Sequence, residues 1–131
     1  MLRMICQRWI YRVGNSTVCV DNAFSWVGWA QERLRVNDET VQDSRGMFRT
    51  RQSYAEPWLT MIGEGELSVR MSARLLSIQC ELLLNGEPLE PEAYMATRWA
   101  GPKNTWPAEE DWRPARRGDF IALPKAEAAK G

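Results

Sequence analysis

The chain contains no histidine. This removes the side chain that most often serves as general base and metal ligand near neutral pH. Its three cysteines, Cys6, Cys19 and Cys80, are odd in number and lack a C-x-x-C spacing. That pattern excludes a disulfide framework and a zinc site, and each cysteine reads as a small buried hydrophobe within an apolar stretch. No apolar run approaches the roughly 20 residues that cross a bilayer. Arg3, Gln7 and Arg8 interrupt the N-terminal stretch where a signal-peptide core would lie, so the expected location is cytoplasmic. Charge of either sign is not in excess: seventeen basic residues offset seventeen acidic ones. Such a chain has no overall field for nucleic acid or anionic membrane. Lysine is absent before Lys103, so every earlier basic residue is Arg. The bias reads as that of a GC-rich bacterial genome rather than as arginines posed for a partner.

Catalytic patterns are missing as well. There is no G-x-S-x-G, H-E-x-x-H, P-loop or dinucleotide fingerprint. Gly63-Glu64-Gly65 joins two strand-like runs and reads as a hairpin loop. The acidic groups Glu109-Glu110-Asp111, Glu64/Glu66 and Glu90/Glu92 read as solvated surface charge, since adjacent loop carboxylates do not make a cleft. The expectation is a non-enzymatic chain with no cofactor and no metal.

What is present is β structure. At 131 residues the chain fits one domain. Met4–Val13 alternates as a strand, Gly14-Asn15-Ser16 is a turn cluster, and Thr17–Asp21 returns. Residues 23–30, with Phe24, Trp26, Val27 and Trp29, have no clean period and read as a strand with a bulge. Residues 43–56 read as a long loop with a short strand near Met47-Phe48. Trp58–Ile62 and Glu66–Met71 form a hairpin. Leu75–Leu84 alternates most clearly and feeds Asn85-Gly86, a strong two-residue hairpin signal. From Pro91 the composition shifts, with five of the seven prolines in residues 91–131. Pro91 suits the first position of a short helix reaching about Trp99, and Pro107–Trp112 suits another helical turn. The expected architecture is all-β: an antiparallel sandwich or strongly bent sheet of about seven or eight strands (residues 1–90), with a short, partly helical Pro/Trp extension (91–131) packed on it and a flexible tail at 126–131.

One motif occurs twice. Leu34-x-Val36-Asn37-x-Glu39-x-Val41 aligns with Leu82-x-Leu84-Asn85-x-Glu87-x-Leu89. Either the two share turn chemistry by convergence or they are equivalent hairpins of two sheets. The order of a Val18-Cys19-Val20-Asp21 strand, the Asn37-Asp38 turn, the Met47-Phe48 pair, a glycine hairpin and the closing Leu84–Leu89 run resembles the β-sandwich of Fas apoptosis inhibitory molecule and its relatives, over about residues 8–90. The resemblance implies an antiparallel sandwich and brings no apoptotic role. Asp38 stands where that family tends to carry Gly, and the Pro/Trp segment lies outside the match.

Seven tryptophans in this length are many. Trp buries a large area and carries one N–H donor, and it is favoured at interface anchors. Trp26, Trp29, Trp99, Trp106 and Trp112, with Arg49, Arg51 and Tyr54, are therefore the candidate partner- or ligand-binding residues. The alternative is that the tryptophans glue the C-terminal segment onto a sheet. Arg–aromatic neighbours such as Arg8-Trp9 and Arg98-Trp99 suit single-stranded nucleic acid, but the balanced charge disfavours it and intramolecular cation–π pairs explain them. The leading expectation is a protein-interaction or scaffold module, with a protein partner or a second copy in a homodimer. The second is a small-ligand protein or enzyme with an aromatic pocket between the sheets, built from Trp26, Trp29 and Tyr54 with Arg49 or Arg51.

Overall fold

The computed structural model describes residues 2–47, 58–74 and 77–115. Among the described residues, ten strands make two wholly antiparallel sheets: β1 Leu2–Val13, β2 Ser16–Phe24, β3 Trp29–Val36, β4 Glu39–Met47, β5 Trp58–Ile62, β6 Gly65–Arg74, β7 Ser77–Leu84, β8 Glu87–Leu89, β9 Ala93–Gly101 and β10 Arg113–Pro114. The larger sheet runs β10-β9-β1-β2-β3-β4 and the smaller β5-β6-β7-β8. The expected antiparallel sandwich is what forms. Side chains alternate across each strand. Trp9, Tyr11, Val13, Val18, Val20 and Leu34 of the larger sheet thereby meet Leu67, Val69, Met71, Ile78 and Leu82 of the smaller in one apolar core.

The two halves of the sandwich are one pattern used twice. Trp9 pairs with Val20 as Trp58 pairs with Val69. Val20 pairs with Leu34 as Val69 pairs with Leu82, and Val18 with Val36 as Leu67 with Leu84. The hairpin motifs then coincide in detail. Asn37 and Asp38 have φ of 51° and 69°, Asn85 and Gly86 of 50° and 83°. Positive φ at both central residues gives the turn whose twist matches the strands. The Asn37 N–H donates to the Thr17 carbonyl at 2.8 Å while its Oδ1 accepts from the Thr17 N–H at 2.9 Å. Asn85 does the same with Glu66, at 2.9 Å in both directions. Each asparagine thus carries the ladder one residue past the end of its strand. Asp38 tolerates left-handed backbone without being glycine, as Asn and Asp do. The copies differ at their ends: a register shift after Leu34 pairs it with Gln42 rather than Val41, whereas Leu82 pairs with Leu89. That bulge leaves Val41 exposed on an edge strand.

Three sequence expectations give way. Residues 93–101 form β9, not a helix. Pairing with β1 from Leu2↔Gly101 to Ile10↔Ala93 gives this run nine backbone partners, and the single helical signal of Pro91 does not compete with them. Residues 25–28 interrupt the expected strand over 23–30 as a tight turn. Strand β4 reaches Met47, through the first part of the expected loop at 43–56. The helical turn expected after Pro107 is a 3-10 turn at Glu109–Asp111. The expected tail at 126–131 lies outside the described residues.

Candidate functional site

The outward face of the larger sheet is covered by residues 102–112. Beneath them lies a second apolar cluster of Met4, Cys6, Ala23, Trp29 and Trp112, with Trp99 and Trp106 packed against it. Strand β3 holds this roof with alternate side chains. Gln31 Nε2 donates to the Thr105 carbonyl at 2.7 Å, and its Oε1 accepts from Asn104 N–H and from Trp29 Nε1, both at 2.8 Å. The Arg33 guanidinium lies 4.5 Å from the Trp106 ring centroid, and that of Arg8 4.2 Å from Trp112. Lys103 Nζ sits 5.0 Å from the Trp29 ring. These are cation–π geometries.

At the centre of this face one guanidinium grips two carboxylates. Arg8 Nε donates to Asp21 Oδ1 at 2.7 Å and Nη2 to Oδ2 at 3.1 Å. Its outer edge meets Glu109 with Nη1 on Oε1 at 2.9 Å and Nη2 on Oε2 at 3.1 Å. Arg33 Nε adds a 2.7 Å bond to Asp21 Oδ2, and Arg35 Nη2 stands 3.5 Å away. The Asp21 side chain is wholly buried, whereas that of Glu109 is 64% exposed. Burial works against the Arg8 charge, but the bonds to Asp21 and Glu109 outweigh it and raise its pKa. Burial, partly offset by Asp21, lowers that of Arg33. The Arg8 hydrogen bond holds the Glu109 carboxyl below its ordinary 4.5. Burial, then Asp21, pushes the Cys6 thiol far up. Every carboxylate here is engaged by an arginine, so the cluster anchors the roof rather than presenting a reactive base.

A different feature is open to solvent. At one end of the larger sheet, Arg3, Met4 and Ile5 of β1, Arg98, Trp99 and Ala100 of β9, and Trp26 line a groove of about 150 Å³. Trp26 reaches it from the turn between β2 and β3. Ser25 closes that turn: its N–H donates to the Trp29 carbonyl at 2.9 Å and its carbonyl accepts from Gly28 N–H at 3.2 Å. Gly28 has φ of 105°, a conformation that suits glycine. The closed turn holds Trp26 69% exposed, braced edge-on against Phe24 with ring centroids 5.7 Å apart. The placing of the Trp99 ring, on the roofed face beside Met4, depends on Gly101. A Cβ there would come within 2.4 Å of Trp99 Cη2, so the absent side chain lets the Trp99 ring lie across the backbone.

Of the residues singled out by sequence, Trp26 and Trp99 are among those that line the groove, with the Trp99 ring packed against the roofed cluster. Trp29, Trp106 and Trp112 belong to the roofed cluster. Arg49, Arg51 and Tyr54 lie outside the described residues. Arg3 and Arg98 join the groove without having been candidates: Arg3 precedes the expected strand, and Arg98 was noted only as the neighbour of Trp99 in a run expected to be helical. The cluster of Asp21, Arg33, Arg35 and Glu109 was also missed; its only sequence signal is the charged spacing of β3. Among the described residues no group of three or more Cys, Asp or Glu is placed to hold a metal, and no helix is long and apolar enough to cross a membrane. Compared with protein-family models, curated proteins and solved structures, the chain matches none.

Proposed function

We propose that the protein is a non-catalytic interaction module that engages a protein partner through Trp26 and the groove beside it. The observation that carries this reading is the exposure of Trp26 at the mouth of a groove whose lining includes Arg3, Ile5 and Arg98. Trp and Arg are the residues enriched at energetic anchors of protein interfaces. A large aromatic held mostly in water by a closed turn is ready to be buried by a partner. Small-molecule sites commonly enclose about 300–1,000 Å³. A groove of about 150 Å³ suits one side chain of a partner better, which favours this reading over that of a small-ligand protein.

Selection from a random-peptide display library tests the proposal. Peptides that bind the wild type and are lost on Trp26→Ala are the expected result. Enrichment that is identical on the variant would refute it. Light scattering across a concentration series tests a second copy as the partner: a mass rising toward a dimer, abolished by Trp26→Ala, supports self-association, and a strict monomer at high concentration removes it.

A further inference from the structure

We infer that a second copy of this chain docks face to face on the outward side of the smaller sheet, with Arg70 of each copy facing Glu66 of the other. This surface lies on the other sheet from the Trp26 groove and is independent of it.

Three features of the smaller sheet carry this assignment. The first is exposure. The outward face of the larger sheet is roofed by residues 102–112, which cover Arg8 and Gln31. The outward face of the smaller sheet keeps Leu59 56% and Met61 71% exposed, and Glu66, Arg70, Glu81 and Pro88 are exposed as well. The second is a row of side chains. The pairs Leu59↔Ser68, Ser68↔Leu83 and Leu83↔Pro88 set these four residues in one line across β5, β6, β7 and β8. They alternate with the buried Leu67, Val69 and Leu82, so they point away from the core. Three of the four are apolar. The third is charge. Glu66 and Arg70 flank Ser68 on β6, one on each side of the row. Among the described residues no ion pair engages either of them.

These positions make the face its own complement. A closed dimer uses the same patch on both copies. With the two-fold axis along the row, β6 runs antiparallel over its counterpart at the roughly 10 Å spacing of stacked sheets. Leu59, Leu83 and Pro88 then meet their own counterparts, and Arg70 of each copy lies over Glu66 of the other. Glu81, opposite Arg70 on β7, lies over the uncharged turn at Asn85. Stacked sheets cross at about 30°, which displaces groups two residues from the axis by only roughly 3.5 Å. Two long side chains span that offset. The face covers roughly 250 Å² at strand spacings of about 4.8 Å and rises of about 3.4 Å per residue. Stable complexes cover roughly 800 Å² per partner, so this dimer is weak and forms at high concentration.

Sedimentation velocity of the full chain up to about 1 mM, the range of weak interfaces, is the test. The mass is expected to rise toward twice that of the chain. Leu59→Glu sets carboxylate over carboxylate and should weaken association at least about tenfold. Arg70→Glu and Glu66→Arg each turn two attractions into two repulsions and should each weaken self-association about tenfold. Mixing these two variants restores both attractions, so the mixture should associate about as strongly as the wild type. All three residues are exposed, so the far-ultraviolet spectrum should not change in any variant. Trp26→Ala should leave the dimer intact. A strict monomer at 1 mM, a dimer indifferent to Leu59→Glu, or a mixture no stronger than its separate variants would overturn the inference. A dimer lost on Trp26→Ala but kept in Leu59→Glu belongs to the groove, and it overturns this interface while supporting the groove as the partner site.

Discussion

Arg8→Met separates the two carboxylates that Arg8 holds. In the wild type Arg8 Nε donates to Asp21 Oδ1 at 2.7 Å, while Oδ2 is shared with Arg33 at 2.7 Å. Methionine fills most of the arginine stem but removes every N–H. Asp21, with no exposed side-chain surface, keeps Arg33 and loses the donor to Oδ1. Removing one partner of a buried ion pair costs about 3–5 kcal/mol, and with Arg33 still bound the low end, about 3 kcal/mol, is expected. Loss of the stack on Trp112 at 4.2 Å acts in the same direction. Glu109→Gln removes the charge from the other carboxylate. That side chain is 64% exposed, so solvent screens the pair and the expected cost is below about 1 kcal/mol. Urea unfolding reads both. With a slope of roughly 2 kcal/mol/M, Arg8→Met should lower the midpoint by about 1.5 M and Glu109→Gln by less than about 0.5 M. A double-mutant cycle with Asp21→Asn should show strong coupling to Arg8. Equal midpoint shifts for Arg8→Met and Glu109→Gln would refute the claim that the buried pair, not the exposed one, anchors the face.

The remaining expectations concern acid, turns and thiols. The folded-state pKa of Glu109 lies below its ordinary 4.5, chiefly through the Arg8 bond. Its small contribution is therefore present above that value and is lost as pH falls through the lower folded one. Between about pH 5 and 3 the wild-type urea midpoint should fall more steeply than that of Glu109→Gln, and parallel slopes would count against the pair. Asn37→Ala and Asn85→Ala each lose an Oδ1 acceptor and place Ala at positive φ. Each should cost about 2 kcal/mol from strain and one lost bond, and calorimetry showing a large effect at one site and none at the other would contradict the equivalence of the hairpins. Cys6 is fully buried with its thiol pKa raised by burial, so an aromatic disulfide reagent should leave it unmodified until the chain unfolds; rapid modification of Cys6 in the native state would show that the roof opens.

The sandwich was legible because β6 and β7 are buried on one face and wet on the other, so Leu67, Val69 and Met71, or Ile78, Cys80 and Leu82, recur with period two. Strand β1 hides that signal. Arg8 lies on its outward face yet is buried, because the roof covers it, and no period reveals a covering segment a hundred residues away. The same blindness applies to the site. Trp26 and Trp99 were visible as tryptophans, but their places depend on the register: Met4↔Trp99 sets Trp99 on the roofed face, and Ile5↔Phe24 brings the turn that carries Trp26 beside β1. The repeat was visible only at its hairpins. Its reach back to Trp9 and Trp58 was obscured by Tyr11, Arg12 and Cys19 standing opposite Thr60, Met61 and Ser68 in the second copy.

Two matching meanders that share one core amount to a dimer joined by a linker. Tethering turns the meeting of the halves into an intramolecular event. Neither half then has to be soluble alone or to remain identical to the other. One outward face has become charged around Asp21 and been roofed. The other keeps Leu59 and Met61 in water on β5. A symmetric assembly of separate half-chains would have to make any such change on both faces at once; the fused chain is free to give its two sides different tasks.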